Sequence, residues 1–461
     1  MCVSAIDDAL SIWQAGVDAV KPANLIANNL SLSDGHLRIQ EHEFSLAGIK
    51  RIVVVGGGKA SAELAIQLHQ QILQPLLQVD PQLRIDGWIN CPEGAFDSAS
   101  PAALATQRNI RLFEARPVGI NYPTEKAALG TKNILDLVAS CCQNTLVICL
   151  ISGGGSALLA APITSATLAD KQAVAKTVAA AGGNIEELNT IRRALSRIKG
   201  GGLARACSAP RMITLIVSDV LGDSLQTIAS GPTELGASNS PAAALQVIQK
   251  LNLENAVDLQ PAIRALESIS STASSTAHCE VHNIILGNNA DAVDAAGVKA
   301  VELGYRYVME CARESEGEVG SVAEHAHQAC TQLMNDSAVD CWISGGEPTV
   351  QLPREAGKGG RNQQLALHCL LSLPDAAEVS SVGDLAFVSG GTDGEDGPTD
   401  AAGAFFDNKI RAEMLREKAA LSGRLERADA YNAFLPFGAL LKTGPTGTNV
   451  CDLRVALVKR S

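Results

Sequence analysis

The residues best suited to chemistry sit in glycine-rich turns at the ends of apolar runs, and they carry cations, hydroxyls and carboxylates. Gly56, Gly57 and Gly58 lead into Lys59, and Ser152, Gly153, Gly154, Gly155 and Ser156 form a second such turn. Lys199 precedes Gly200, Gly201 and Gly202; Asp219 and Asp223 lie in a third turn; Glu347 closes a Ser-Gly-Gly-Glu run. Arg361, Asn362 and Gln363 follow Gly359 and Gly360, Asp393 and Asp396 share one acidic loop, and Thr446 and Asn449 share the last turn. Backbone N–H groups of such turns, with a lysine point charge, suit a phosphate. Acids without cations would suggest a metal store, and cations without acids phosphate binding alone. Both together, with no Ser–His or Cys–His pair, fit phosphoryl transfer, in which the protein positions reactants and neutralises charge.

The acidic loop Ser389–Asp400 follows the apolar run Leu385–Val388, and its glycines and Pro398 exclude a helix. Read alone, it is either a solvated acidic turn or a site for a divalent cation or a polyhydroxy substrate.

The elements that position these turns form a repeating strand–turn–helix pattern. Arg51–Val55, Leu146–Ile151, Met212–Val217, Cys341–Ser344 and Leu385–Val388 read as buried strands. Helices are expected over Ala5–Val20, from Ala60 to Gln71, over Pro123–Ala139, from Asn289 to Leu303, over Gly317–Met334 and from Arg361 through Leu373. Another is expected over Ile185–Ile198, with Lys199 at its C-terminal end, where the helix dipole favours a cation. Three strand-end turns in each half predict two α/β domains with largely parallel sheets, facing each other across a cleft, with ligands outside the strands' carboxyl ends. The expected boundaries are 1–240 for the N-terminal domain, 241–281 for a helical and Ser/Thr-rich connector, and 282–461 for the C-terminal domain.

Composition narrows the class. The 461 residues are 46% hydrophobic and 19% charged, with 41 glycines and only 3% aromatics, which suits aliphatic α/β layers. A net charge of −12 disfavours nucleic acid or an anionic membrane as partner. The twelve cysteines show no CxxC pair, which predicts reduced thiols and a cytoplasmic setting. No signal peptide and no membrane span are expected. His325 and His327, and His278 and His282, read as core or surface histidines rather than metal ligands.

The chain resembles the class II glycerate kinases (glycerate 2-kinases, the MOFRL family). The resemblance rests on Val54–Ala60, Leu150–Leu158, Asn189–Arg193, Leu195–Leu203, Ser218–Asp223, Ile228–Thr233, Ser344–Glu347, Gly359–Gln363, Gly390–Gly394, Asp396–Gly403 and Thr443–Asn449, in order across nearly the whole chain. It implies a Rossmann-like N-terminal lobe, a C-terminal MOFRL lobe, an ATP- and glycerate-binding cleft, and dependence on Mg2+. It also implies Lys59 and Arg361 as catalytic cations. Where the family carries a Gly-His-Pro turn, this chain has Gly119, Ile120 and Asn121.

The expected function is therefore ATP-dependent, Mg2+-assisted phosphorylation of D-glycerate to 2-phosphoglycerate. Asp219 or Asp393 would accept the hydroxyl proton or hold the metal. Gly57, Gly58, Ser152–Ser156, Lys199, Glu347, Asn362, Asp393, Thr446 and Asn449 would contact substrate or ATP. Asp396 would shape its loop. A kinase for hydroxypyruvate or tartronate and a non-catalytic nucleotide or sugar-phosphate sensor are the alternatives. The expected partners are small molecules, and a homodimer is compatible with the sequence.

Overall fold

The computed structural model describes residues 4–117, 122–236, 240–269, 279–374 and 383–460. They divide into two α/β units, one of Leu25–Val217 and Asp223–Leu286, the other of Met1–Asn24, Ser218–Gly222 and Gly287–Ser461. These differ from the boundaries expected at 240 and 282.

The first unit starts with an antiparallel meander, β1 (Leu30–Ser33), β2 (His36–Ile39) and β3 (His42–Ser45). Asp34 and Gly35, both at positive φ, make its first tight turn, a conformation that Asp-Gly adopts readily. Its main sheet contains β4 (Arg51–Gly57), β5 (Arg84–Pro92), β6 (Ile110–Arg116), β7 (Thr145–Ser152), β8 (Arg211–Val217) and β9 (Glu280–Gly287). The order across the sheet is β6-β5-β4-β7-β8-β9. The β4–β5, β4–β7, β5–β6 and β7–β8 pairs are all parallel. This is the 3-2-1-4-5-6 order of dinucleotide-binding folds, in which strand order reverses between the first and fourth strands. Here that point lies between β4 and β7. Every residue of β7 is buried, as a parallel strand covered on both faces requires.

The stretch expected as a connector contributes structure of its own. Helices Pro241–Lys250 and Gln260–Glu267 pack with Leu168–Ala180 and Ile185–Ala194 around Val174, Val178, Ile191, Leu195, Ala244, Ile248 and Ala262. Of the Ser/Thr run Ser268–Ala277, the part from Ser270 onward lies outside the described residues.

The second unit's sheet runs β10 (Tyr307–Cys311), β11 (Cys341–Gly346), β15 (Asp452–Lys459), β12 (Asp384–Gly391), β13 (Gly403–Asp407) and β14 (Leu440–Leu441). Only the β10–β11 pairing is parallel, and the other four are antiparallel, so this sheet is mixed rather than largely parallel. Two strands cause this: β13, which returns antiparallel beside β12, and β15, which was not expected from the sequence. The latter enters antiparallel between β11 and β12 and is buried from Asp452 to Val458.

The Ala5–Ala19 helix belongs to this unit. Ser4 and Asp7 form a capping box at its start, and Trp13 Nε1 donates to the Leu453 carbonyl at 3.1 Å. Its buried face, with Ile12 and Val17, packs on Val293, Val388 and Val455. Among the described residues, no helix is long and apolar enough to cross a membrane, and the eleven of the twelve cysteines that are described form no disulfide.

Candidate active site

In the first unit the chain leaves β4 and β7 side by side, so their glycine turns touch. Lys59 N donates to Gly153 O at 2.7 Å, Ala60 N to Ser152 Oγ at 2.9 Å, and Gly58 N to Asn90 O at 3.2 Å. Ser61 Oγ lies 3.2 Å from Ser152 Oγ. The approach is too close for side chains: a Cβ on Gly58 would stand 2.1 Å from Ser152 Oγ, and one on Gly155 2.9 Å from Gly57 O. Gly154 turns through φ 74°. The point where its Cβ would stand is 3.4 Å from Lys59 Cγ and 3.8 Å from the Arg116 guanidinium. Two cations therefore border one glycine. Lys59 immediately precedes the N-terminus of the Ser61–Leu68 helix, where the dipole opposes a positive charge. A helix-capping role does not explain it there.

Ser156 and Lys199 meet behind this turn. Lys199, only 2% exposed, donates from Nζ to Ser156 Oγ at 2.6 Å and to Ser230 Oγ at 3.3 Å, and the two hydroxyls are 2.9 Å apart. Burial, reinforced by Lys171, Arg192 and Arg193, pulls its pKa well below the usual lysine range. The expected helix does not run to Lys199. It ends at Ala194, because Ser196 bridges to Pro162 and Arg197 N donates to Ala161 O. Lys199 thus serves the Ser156–Ser230 pair rather than a helix end. Ser230 sits in a strained turn, since Ala229, Ser230 and Gly231 all have positive φ. Their carbonyls at Ser230 and Gly231 accept the amides of Gly200 and Gly201.

The second unit gathers the acids around a guanidinium. Arg361 opens the Arg361–Ser372 helix, again at the end where the dipole disfavours a cation. Its Nε and NH2 donate to the two Asp452 carboxylate oxygens at 2.7 and 2.9 Å, and NH1 pairs with Glu347 at 2.9 Å. Burial opposes its charge, but Asp452 and Glu347 outweigh burial and hold its pKa above the usual range. Asp452 is fully buried.

Cys451, at φ 69°, turns its thiol to the Asp219 carbonyl at 3.0 Å, while Asn449 Nδ2 donates to Asp219 Oδ2 at 3.2 Å. Asp393 Oδ1 accepts the Glu395 amide at 3.0 Å. A Cβ on Gly391 would stand 3.1 Å from that oxygen and 3.6 Å from Asp452 Oδ1, so Asp393 and Asp452 flank this glycine. Thr446 ties the loop down, with Oγ1 donating to Thr392 O at 2.5 Å and N to Asp393 O at 3.2 Å.

Asn362 and Asp396 lie beneath this surface. Asp396, 2% exposed, accepts the Asn362 and Gln363 amides at 3.0 and 2.9 Å and so caps the Arg361 helix. Burial pushes its pKa up to about 7, against those two amides, which favour the anion. Asn362 is 1% exposed and accepts the Ser389 hydroxyl at 2.7 Å, so its side chain is a packing element of the loop.

The anticipated residues thus fall into two groups. Lys59, Gly57, Gly58, Ser152–Ser156 and Lys199 lie in the first unit; Asp219, Glu347, Arg361, Asn362, Asp393, Thr446 and Asn449 lie in the second. Arg116, Ser230, Cys451 and Asp452 were not anticipated. A buried acid two residues before Arg454 in an otherwise apolar strand was the available signal for Asp452. Among the described residues, no three His, Cys, Asp or Glu side chains form a ready-made metal site. His325 pairs with Glu310, His327 with Glu324 and His282 with Glu280, while His278 lies outside the described residues.

Comparison with known proteins places this arrangement. Residues 8–266 match the family described as a domain of unknown function, DUF4147, and residues 340–452 match the MOFRL family. The mouse protein named glycerate kinase is 34% identical, with 98% of this chain and 93% of that protein covered. The chain belongs to the glycerate kinase family. It is 28% identical to the glycerate 2-kinase of Pyrococcus horikoshii, over 96% of this chain and 94% of that protein. The crystal structure of glycerate kinase from Thermotoga maritima superposes with a TM-score of 0.77 at 28% identity, covering 98% of this chain and 99% of that one. Gly119, Ile120 and Asn121, where this chain departs from the family's Gly-His-Pro turn, lie outside the described residues.

Proposed function

We propose that the protein transfers the γ-phosphoryl group of ATP to D-glycerate, at the 2-hydroxyl. The observation that carries this reading is the pair of bonded glycine turns at the β4–β7 switch point, with Lys59 set against Gly153 and Gly154 at a helix N-terminus. Relatives named glycerate kinase supply the acceptor, and the Pyrococcus horikoshii relative named glycerate 2-kinase supplies the position.

Lys59 and Arg361 neutralise charge on the transferring phosphoryl group, and the turn amides at Gly153–Gly155 hold phosphate oxygens, with Gly57 and Gly58 packed against that turn. Asp219 takes the hydroxyl proton. Its carboxylate is oriented by Asn449, which sets it for that role. Mg2+ fits the acids present, because this ion needs only one or two carboxylates when phosphates complete its shell. Asp393, beside Gly391 and Asp452, would hold it. When bound, it would offset phosphate charge. The free cysteines support a reducing, cytoplasmic setting.

ADP release with D-glycerate tests the assignment in Lys59→Ala and Arg361→Ala. Each is expected to lower kcat by roughly 10²–10³. Near-wild-type kcat in both would overturn it. The same assay with hydroxypyruvate and tartronate fixes the acceptor, and nucleotide binding without turnover on any acid would mark a sensor instead.

A further inference from the structure

A cavity of about 550 Å3 opens within the first unit, and Lys171, Lys176, Arg192, Lys199 and Ser156 line it. Among the described residues no carboxylate does. Lys171 is only 7% exposed, and its Nζ has no hydrogen-bond partner among the described residues. A buried ammonium without a partner is costly, and three further cations around the same space add repulsion.

The acids nearest in sequence are committed elsewhere. Asp170 accepts the Thr167 amide and hydroxyl in a capping box. Glu187 accepts the Asn184 amide and pairs with Lys250. Burial, with Arg192 adding to it, pulls the Lys171 pKa down to about 7, and burial lowers that of Arg192 too. Among the described residues none supplies an anion to this cavity, which suits one from outside the chain. Tyr122, Pro123 and Ala160 supply an apolar wall on the same cavity. Its volume lies in the range of roughly 300–1,000 Å3 of small-molecule sites.

We propose that this cavity binds a phosphate-bearing small molecule, with Lys171, Arg192 and Lys199 holding its phosphate oxygens. Such a phosphate has two sources, the polyphosphate tail of a nucleotide or the ester of a phosphorylated acid. Because Ser156 and Lys199 belong to the candidate active site as well, the inference rests on the kinase reading and adds Lys171 and Arg192 to it.

Calorimetric titration of the full chain, without turnover, tests it with pyrophosphate, ATP and 2-phosphoglycerate as probes at fixed ionic strength. At least one probe is expected to bind, and Lys171→Met and Arg192→Met are each expected to weaken it about tenfold or more. Lys132→Met, on an exposed residue paired with Asp136, is expected to leave binding unchanged. Lys171→Met also removes an uncompensated buried charge, so its melting temperature is expected to hold or rise; loss of binding then does not reflect unfolding. Loss confined to ATP and pyrophosphate assigns the nucleotide tail, and loss confined to 2-phosphoglycerate assigns the ester. Equal affinity in Lys171→Met, Arg192→Met and wild type, or no binding of any probe at millimolar concentration, overturns the proposal.

Discussion

Asp452→Asn keeps the shape of a fully buried side chain and removes its charge, which isolates what the carboxylate does for Arg361. The wild-type pair is two-pronged, at 2.7 and 2.9 Å. Removing one partner of a fully buried pair costs about 3–5 kcal/mol. Arg361 is not fully buried: a third of its side chain is exposed, and Glu347 remains 2.9 Å away. Asparagine also keeps one acceptor oxygen. These three facts reduce the expected loss to about 2 kcal/mol.

For a unit of about 200 residues, that corresponds to a melting temperature lower by roughly 4–8 °C. The guanidinium loses its fork, so turnover is expected to fall by about tenfold or more, since misplaced charge costs transition-state stabilisation. Thermal unfolding and ADP release read the two effects. Adding Asp452→Asn to Arg361→Ala supplies the control, because the carboxylate then has no guanidinium to hold. The double variant is expected to fall short of additivity by more than about 1 kcal/mol. Additivity within about 0.5 kcal/mol, or a single variant with unchanged melting temperature and turnover, would refute the positioning role.

Two buried groups set opposite pH slopes. Asp396 titrates near about 7 instead of 3.8, so between those values the folded chain holds the extra proton and stability falls as pH rises. Lys171 titrates near about 7 instead of 10.5, so across that higher window the unfolded chain holds the extra proton and stability rises with pH. Melting curves across pH 4–10 are expected to lose the first slope in Asp396→Asn and the second in Lys171→Met; an unaltered profile in either contradicts the burial argument. Gly391→Ala places a methyl 2.8 Å from Glu395 O and 3.1 Å from Asp393 Oδ1. It is expected to cost about 1–3 kcal/mol and to lower turnover, and steady-state kinetics with a melt would show whether the loop tolerates it.

The turns were legible because their physics is local. Gly58 and Gly155 are glycines since two strand ends meet there with no room for a Cβ, and that demand leaves its mark in sequence. The parallel core of the first unit was legible for the same reason, in the continuous apolar runs of β4, β7 and β8. What escaped depended on distant chain segments. Lys199 looked like a helix end because the pattern before it is helical, but the bonds from Ser196 and Arg197 to Pro162 and Ala161 stop the helix early. The β15 strand follows the last glycine turn and places Asp452 at Arg361, 91 residues away in sequence. Its antiparallel entry gives the second sheet a mixed character that no local pattern carries. The first helix likewise packs on Leu453, 440 residues after Trp13.

The central claim is tested most directly by following the phosphorus of a mixture of ATP, Mg2+, D-glycerate and wild-type protein by 31P NMR. The account predicts a growing 2-phosphoglycerate resonance matched one to one by ADP. ADP formation that is independent of glycerate, or a product phosphorylated at the 3-position, would contradict it.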